Sequence, residues 1–312
     1  MMLETSEIID LRSAKNEVHP ERPYHFMHEQ ERGADGELKE VNAIFLTNSE
    51  CPFKCVMCDL WKNTLKNPVN RGDIPKQIDY ALNHLPKGDV VKLYNSGNFF
   101  DRKAIPPEDY QSIAKRLYDY EQVIIENHPK LCDKSCAEFQ NMLNGNLEIA
   151  MGLETIHPEV LPKLNKQITK DDFKEAASFL RDHGISSRAF LLLNPPYLTD
   201  PDENIEWTIR SVEFAFDCGV SACSIIPTRD GNGAMEKLHE KGQYLPPAIG
   251  ALEKAFEQAL NLNSGRIFVD LWDLKRFSTC THCFNKRKDR LHQMNLDQKI
   301  RPGIKCDYCG DE

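Results

Sequence analysis

The sequence predicts an α/β protein in which helices cover a parallel sheet that curls into a barrel or a partial barrel. Seven short runs of β-branched or aliphatic residues alternate with amphipathic helical patterns along the chain. The runs are nearly continuous in apolar residues, as expected for strands that are buried on both faces. This alternation favours right-handed β–α–β crossovers and hence a parallel sheet.

Composition and charge limit the classes of protein to which this chain can belong. The chain has 312 residues, of which 40% are hydrophobic and 28% are charged, so it is predicted to be globular, with one large domain or one domain plus a small module. The longest apolar runs, such as residues 189–193, are far shorter than the roughly twenty residues of a membrane span, and we expect no membrane partner. The net charge of −9 argues against a whole-surface nucleic-acid binder.

The predicted strands are bounded by turn residues, and one connecting helix is marked by its apolar spacing. Tyr110, Ile113, Ala114 and Leu117 recur at the spacing of one helical face. Six strand–helix units followed by a seventh strand are predicted, with strands at residues 42–47, 90–95, 123–126, 147–153, 188–193, 221–226 and 266–271.

Two further helices carry start and stop signals. Thr169 precedes a pair of aspartates and is predicted to cap a helix that ends at Gly184. Asp200 and Pro201 begin the next helix, and Gly219 ends it. Both helices therefore lie between predicted strands, as the barrel requires.

Changes in composition divide the chain into three parts. Residues 1–40 are polar and are predicted to form a leader that packs on the barrel. Residues 41–276 hold the strand–helix alternation, and residues 277–312 are cysteine-rich, basic and poor in strands. We therefore predict a barrel with a small C-terminal metal-binding module built on four cysteines.

Three cysteines follow the first predicted strand directly. Cys51, Cys55 and Cys58 lie within eight residues on a loop, where their thiolates can converge. Structural zinc sites and ordinary iron–sulfur clusters take four protein ligands, so three cysteines on a [4Fe–4S] cluster would leave one iron open. The alternative is a zinc site whose fourth ligand is distant in the sequence.

The Cys-x3-Cys-x2-Cys spacing, its position after the first strand and the alternation over residues 40–275 resemble radical S-adenosylmethionine (SAM) enzymes. The resemblance implies a partial (β/α)6 TIM-like barrel. It also implies that Cys51, Cys55 and Cys58 hold the cluster, and that SAM binds the open iron through its amino and carboxylate groups. Reductive cleavage of SAM would then give a 5′-deoxyadenosyl radical, with the electron supplied by a protein such as flavodoxin or ferredoxin.

The same resemblance implies which residues contact SAM, with two departures from the family pattern. Ser96, Gly97 and Asn98 occupy the turn that approaches the SAM amino group, but Asn98 stands where the family has an acid. Glu154 ends the fourth strand where a carboxylate would meet the ribose; the alternative is a solvated strand end. Met57 replaces the aromatic residue that often lies against adenine.

Within the family, residues 96–99, 152–155 and 161–166 look most like the Elp3-type branch, nearest to the archaeosine-synthase radical subunits. Those proteins act on a modified 7-deazaguanine in tRNA, so the resemblance implies a tRNA nucleobase as substrate. The turn-rich residues 227–233 follow the sixth strand, where barrels place ligand contacts; they are also consistent with a plain loop.

A second set of cysteines lies near the C-terminus. Cys280 and Cys283 form one Cys-x2-Cys pair, and Cys306 and Cys309 form another, with Gly310 suited to the following turn. Two such pairs predict a zinc site, with an auxiliary iron–sulfur cluster as the alternative. His282 could replace a cysteine or could be an exposed turn residue.

Residues 286–290 lie between the two pairs and form the one concentrated basic run of the chain. We predict that it becomes a rigid basic edge that holds tRNA or another polyanion; the alternative is a solvated face.

Two other functions remain open from the sequence. One is a radical SAM enzyme that acts on a small metabolite or natural-product intermediate, which the acidic net charge favours. The other is a non-enzymatic zinc protein with structural cysteines.

The N-terminus lacks a secretory signal and the chain has 11 cysteines, so we expect reduced thiols and a cytoplasmic location. The substrate, the fate of its radical and the reuse of SAM stay open.

Overall fold

A computed structural model describes residues 2–309, and one eight-stranded sheet organises them. The strands follow one another in chain order, with β1 antiparallel to β2 and each later pair parallel. Within residues 2–309, β1 and β8 do not pair, so the sheet is a partial barrel and the predicted fold class is confirmed. The strands are β1 (His25–Arg32), β2 (Leu38–Leu46), β3 (Val90–Asn95), β4 (Gln122–Glu126), β5 (Asn146–Glu154), β6 (Ser186–Leu193), β7 (Ala222–Pro227) and β8 (Arg266–Val269).

All seven predicted strands are present within a few residues, and β3 has the predicted bounds. Strand β1 lies before residue 42, in a part of the chain where no strand was predicted, and it corrects that expectation. Its sequence, HFMHEQER, is polar and half-buried, so it carries no apolar run that could reveal it. The strand is held by its antiparallel register, from His25 opposite Phe45 to Arg32 opposite Leu38. The divisions at residues 40/41 and 276/277 stay predictions.

Most of the helices cover the outer face of the sheet. The Thr169 hydroxyl accepts a hydrogen bond from the Asp172 N–H (3.1 Å) and caps α5, and Asp200 caps α6; both predicted starts are confirmed. The helices are α1 (Thr5–Asp10), α2 (Asp73–Leu82), α3 (Tyr110–Arg116), α4 (Lys134–Gln140), α5 (Lys170–Asp182), α6 (Pro201–Asp217), α7 (Ala234–Glu240), α8 (Ile249–Asn261) and α9 (Phe284–Asp297).

The C-terminal end of α9 protects the open edge of the sheet. The Asn295 side chain accepts from the Val269 N–H and donates to the Val269 carbonyl, both at 2.9 Å. Gln298 does the same for Ile267, and the Arg32 guanidinium donates to the Leu296 carbonyl. Side-chain amides thus take the place of a neighbouring strand along β8, because unpaired strand edges invite association.

Outward side chains of the strands form the main core with the helices, whereas the amino-terminal part of the inner face is ionic. Arg188 pairs with Glu148 (2.7 Å) and Glu31 (2.6 Å), and Lys92 also pairs with Glu31 (2.6 Å). Arg266 approaches Glu148 at 3.3 Å. This buried network connects β1, β3, β5, β6 and β8, and it lies beside a small apolar cluster of Val41, Val90, Ile124 and Ala150.

We expect Arg188→Met to lower the free energy of unfolding by about 3–5 kcal/mol, because it leaves buried carboxylates without their partner. Urea unfolding under anaerobic conditions measures the loss. Arg210→Met is the matched control, since Arg210 pairs with Glu206 at the surface and exposed pairs contribute about 0–1 kcal/mol. Equal losses in the two variants would contradict the structural role of the network.

Candidate functional site

The loop that carries Cys51, Cys55 and Cys58 lies at the carboxyl end of β2 and is fixed through its backbone. The Val56 N–H donates to the Leu164 carbonyl (3.0 Å). The Asn232 amide donates to the carbonyls of Val56 (2.8 Å) and Cys58 (3.1 Å). Residues 161–166 and 227–233, which the sequence analysis singled out, therefore position this loop.

The three thiols are half-buried and interact electrostatically. Burial raises the pKa of each thiol above its ordinary value, to about 11 for Cys55, so thiolates here need a bound cation. Within residues 2–309, the side chains placed to hold a single metal ion are the four C-terminal cysteines, and the three thiols of this loop are not among them.

The turn after β3 lies beside Cys51. The Asn98 amide donates to the Cys51 sulfur at 3.3 Å, so this residue, which replaces an acid of the family pattern, contacts a predicted cluster ligand directly. A Cβ on Gly97 would lie 3.4 Å from Asn95 Nδ2 and 3.6 Å from Asn48 Nδ2. The amide atoms of Asn48 and Asn95 are buried without a hydrogen-bond partner in the protein. Ser96 is also buried here, so the turn presents a polar face that could receive a ligand.

Glu154 ends β5 in a positive-φ conformation (φ 68°) and pairs with Lys166 at 2.8 Å. Gly152 makes room for this pair, because a Cβ there would clash with both side chains. Burial by itself would lower the pKa of Lys166, but Glu154 holds it above the ordinary value. Glu154 is thus a buried, paired carboxylate rather than a solvated strand end.

Met57 lies in a second apolar cluster at the carboxyl ends of the strands. This cluster contains Leu3, Ile8, Val56 and Leu192, so the N-terminal residues and α1 pack directly against the cysteine loop. Apolar side chains therefore cover one side of the loop and separate it from solvent.

Glu126, which the sequence analysis did not single out, ends β4 next to this site. Its Oε2 accepts the Asn95 N–H at 3.1 Å, and burial raises its pKa to about 7. An acidic residue at the carboxyl end of an otherwise apolar strand was the available signal, because barrels place ligand residues there.

The four C-terminal cysteines come together as predicted. Cys280 and Cys306 sulfurs lie 3.8 Å apart, Cys283 and Cys309 sulfurs lie 3.5 Å apart, and all four lie within 4.8 Å of one another. These separations match the roughly 3.8 Å of a tetrahedral zinc site. His282 stays outside the group and stacks on Tyr308 at 3.8 Å. Gly310 lies outside the described residues.

Residues 286–290 were predicted to form an exposed basic edge, and this prediction is wrong for Arg287 and Arg290. Arg287 is buried, pairs with Glu253 and donates to the Cys283 sulfur at 3.4 Å. Arg290 pairs with Glu253 (3.1 Å) and Glu257 (2.5 Å). Both carboxylates belong to α8, so these arginines attach the module to the barrel, whereas the lysines at positions 286 and 288 are exposed.

No model of a known protein family matches the chain. The chain is 27% identical over 217 residues to the archaeosine synthase subunit beta of Methanosarcina acetivorans, covering 66% of this chain and 61% of that protein. It is 31% identical over 207 residues to the archaeosine synthase subunit beta of Thermococcus kodakarensis, covering 62% of each. The chain thus spans less than two thirds of the length of these two relatives.

Elp3 of Methanocaldococcus infernus shares the fold, with a TM-score of 0.53 and 15% identity over 73% of this chain and 59% of that one. No helix within residues 2–309 has the length and apolar composition needed to cross a membrane. The three-cysteine loop after the first parallel strand thus belongs to a chain that is similar in sequence to two archaeosine synthase beta subunits and similar in fold to Elp3.

Proposed function

We propose that the chain holds a [4Fe–4S] cluster on Cys51, Cys55 and Cys58, binds SAM beside it and removes a hydrogen atom from a substrate in the barrel. The observation that carries the proposal is a loop of three half-buried thiols at the carboxyl end of the first parallel strand, with the Asn98 amide donating to the Cys51 sulfur. When bound and reduced by a protein such as flavodoxin or ferredoxin, the cluster supplies the electron that cleaves SAM to a 5′-deoxyadenosyl radical.

The side chains around the loop have separate roles in this proposal. Asn98 donates to the Cys51 sulfur and would stabilise negative charge on the cluster. Gly97 allows close approach to the SAM amino group, with Ser96 beside it, and Glu154 receives the ribose hydroxyls. Met57, in its apolar cluster, packs on adenine, and the same cluster excludes water from the site.

For the substrate we propose a nucleobase carried by tRNA, and for the C-terminal cysteines a structural zinc ion. The names of the two relatives support a tRNA-related substrate and, since both are called subunits, a partner subunit.

Within residues 2–309 no cysteine forms a disulfide, which supports a reducing compartment such as the cytoplasm. A small metabolite is the second candidate, because Arg287 and Arg290 are consumed by internal pairs.

Anaerobic incubation of the reconstituted chain with SAM, dithionite and deuterated candidate substrates tests the proposal. We expect 5′-deoxyadenosine to form and to carry deuterium from a tRNA nucleobase. Deuterium from a small metabolite and none from tRNA would favour the second candidate, and no 5′-deoxyadenosine at all would contradict the function.

Glu154→Gln is expected to weaken SAM binding by about 1–2 kcal/mol, the contribution of a charge-assisted hydrogen bond. Equilibrium dialysis with labelled SAM measures the affinity, and iron content should stay unchanged. Glu159→Gln is the control, because Glu159 is exposed and only approaches Lys163 at 3.9 Å. An unaltered affinity in Glu154→Gln would contradict its contact with the ribose.

A further inference from the structure

The C-terminal module carries an exposed pair of stacked rings. The ring centroids of His282 and Tyr308 lie 3.8 Å apart, and the planes of the two rings differ by only 7°. His282 is exposed, and Tyr308 is 75% exposed. Because stacking covers only one face of the tyrosine ring, its other face is open to a further planar group.

The cysteine group fixes the position of this pair. His282 directly precedes Cys283, and Tyr308 directly precedes Cys309. The sulfurs of these two cysteines lie 3.5 Å apart, so the cysteines bring together two segments that are far apart in the sequence. Rings that are already held in place lose little conformational freedom when a ligand stacks on them.

Cations surround the pair in the sequence, and their pairing differs by residue type. Residues 277–309 contain seven lysines and arginines but only three aspartates and no glutamate, in a chain whose net charge is −9. All three arginines form ion pairs within the protein, at positions 287, 290 and 301. The four lysines, at positions 286, 288, 299 and 305, are exposed, and none of them has an ion-pair partner within residues 2–309.

Two of these lysines lie close to the stacked rings. Lys305 directly precedes Cys306, and Lys286 follows Cys283 by three residues. Consecutive Cα atoms are 3.8 Å apart, so the Cα of each lysine lies within about 11 Å of the Cα of its cysteine. Since the four sulfurs lie within 4.8 Å of one another, the cations and the rings occupy one small region of the surface.

This region is connected to the carboxyl ends of the strands. Residues 274–277 join β8 to the module, and Arg276 pairs with Asp230 at 3.1 Å. Asp230 belongs to residues 227–233, the loop that positions the cluster cysteines. Lys275 is exposed in the same turn, and the chain from Lys275 to Cys280 spans at most about 18 Å. A polymer bound to the module can therefore extend to the mouth of the barrel.

We infer that this surface binds RNA, with an unpaired base stacked on the open face of Tyr308 and neighbouring phosphates held by Lys286, Lys288 and Lys305. Single-stranded nucleic acids require both elements, because their bases stack on aromatic side chains and their phosphates attract cations. The inference rests on the proposed function, in which tRNA carries the substrate base, and it adds a contact outside the barrel.

Fluorescence anisotropy with two labelled probes tests stacking on the anaerobically reconstituted chain. The probes are an unmodified tRNA transcript and a blunt-ended RNA duplex with the same number of nucleotides, which has no unpaired base. Tyr308→Ala should weaken tRNA binding about tenfold and leave duplex binding unchanged, whereas Tyr308→Phe should keep the wild-type affinity. Tyr118→Ala is the matched control, because Tyr118 is 62% exposed at the end of α3.

Salt dependence tests the cations separately. Replacing Lys286, Lys288 and Lys305 together by glutamine should reduce the slope of log affinity against log salt concentration by about two. The control replaces three exposed lysines of the outer helices by glutamine, at positions 115, 134 and 174, and should leave the slope unchanged. Zinc content and the thermal midpoint establish that each variant is folded.

Unchanged tRNA binding in both Tyr308→Ala and the lysine variant would overturn the inference, as would equal losses in the control variants. Reductive cleavage of SAM by the wild-type chain, measured without RNA, is the separate check of the proposed function. Cleavage together with RNA binding that ignores these variants rejects the surface and leaves the function standing. Failure of cleavage rejects the function, and the RNA probes then decide the surface by themselves.

Discussion

Replacing Cys51, Cys55 and Cys58 together by alanine is expected to abolish reductive formation of 5′-deoxyadenosine. The three thiols are the proposed protein ligands of the cluster, so their removal together leaves the cluster without a place to bind on this loop. Chromatography of the anaerobic reaction with SAM and dithionite measures the product, and the visible absorbance of the protein follows the cluster.

Cys218→Ala is the matched control, because Cys218 is buried in the main core and far along the sequence from the loop. It should keep both the cluster and the product. Retention of SAM cleavage by the triple variant would show that the cluster is held elsewhere. Loss of cleavage in both variants would show that the assay reports general instability rather than ligand loss.

The second large effect concerns the metal of the C-terminal module. The as-isolated Cys51/Cys55/Cys58 triple-alanine variant should contain about one zinc per chain and little iron, because the four remaining sulfurs lie at the spacing of a tetrahedral ion. Residues 299–309 form no helix or strand of their own, and structural zinc contributes about 10–16 kcal/mol to the folding of zinc-finger peptides. Elemental analysis measures the zinc and iron content per chain. A brown protein with several irons per chain would show that the module binds an auxiliary iron–sulfur cluster instead.

Removing the metal should release residues 299–309 while the barrel and α9 stay folded, because Leu291 and Met294 of α9 pack in the main core. Cys283→Ala removes a ligand and also the sulfur that Arg287 contacts, so we expect zinc to be lost and residues 299–309 to become sensitive to limited proteolysis. His282→Ala is the control in the same turn, because His282 stacks on Tyr308 outside the ligand group. Zinc retained by Cys283→Ala, or lost from His282→Ala, would contradict the assignment of ligands.

The buried arginines change how the basic segment should be tested. Reversing the charge of Arg287 would break its pair with Glu253 and destabilise the attachment of the module, whatever the substrate is. Lys286 and Lys288 are exposed, so only these two cations of the segment can report contact with a polyanion without disturbing the fold.

Local patterns in the sequence were sufficient to predict the seven parallel strands and the first residues of α5 and α6. Strands buried on both faces are mostly apolar, and a capping side chain such as Thr169 or Asp200 acts on residues two or three positions away. The four C-terminal cysteines were equally predictable, because each Cys-x2-Cys pair is a local turn. No comparable local signal marks β1, whose half-buried polar residues are held by their partner strand.

The electrostatic arrangement was decided only by tertiary structure, because its partners lie far apart in the sequence. Glu253 of α8 determines whether Arg287 is a surface cation or a buried one, and the two are 34 residues apart. Arg188 and Glu31, 157 residues apart, meet only when β1 joins the sheet. Buried charges must find partners wherever the fold brings them, so a charge run in the sequence does not reveal which of its members reach solvent.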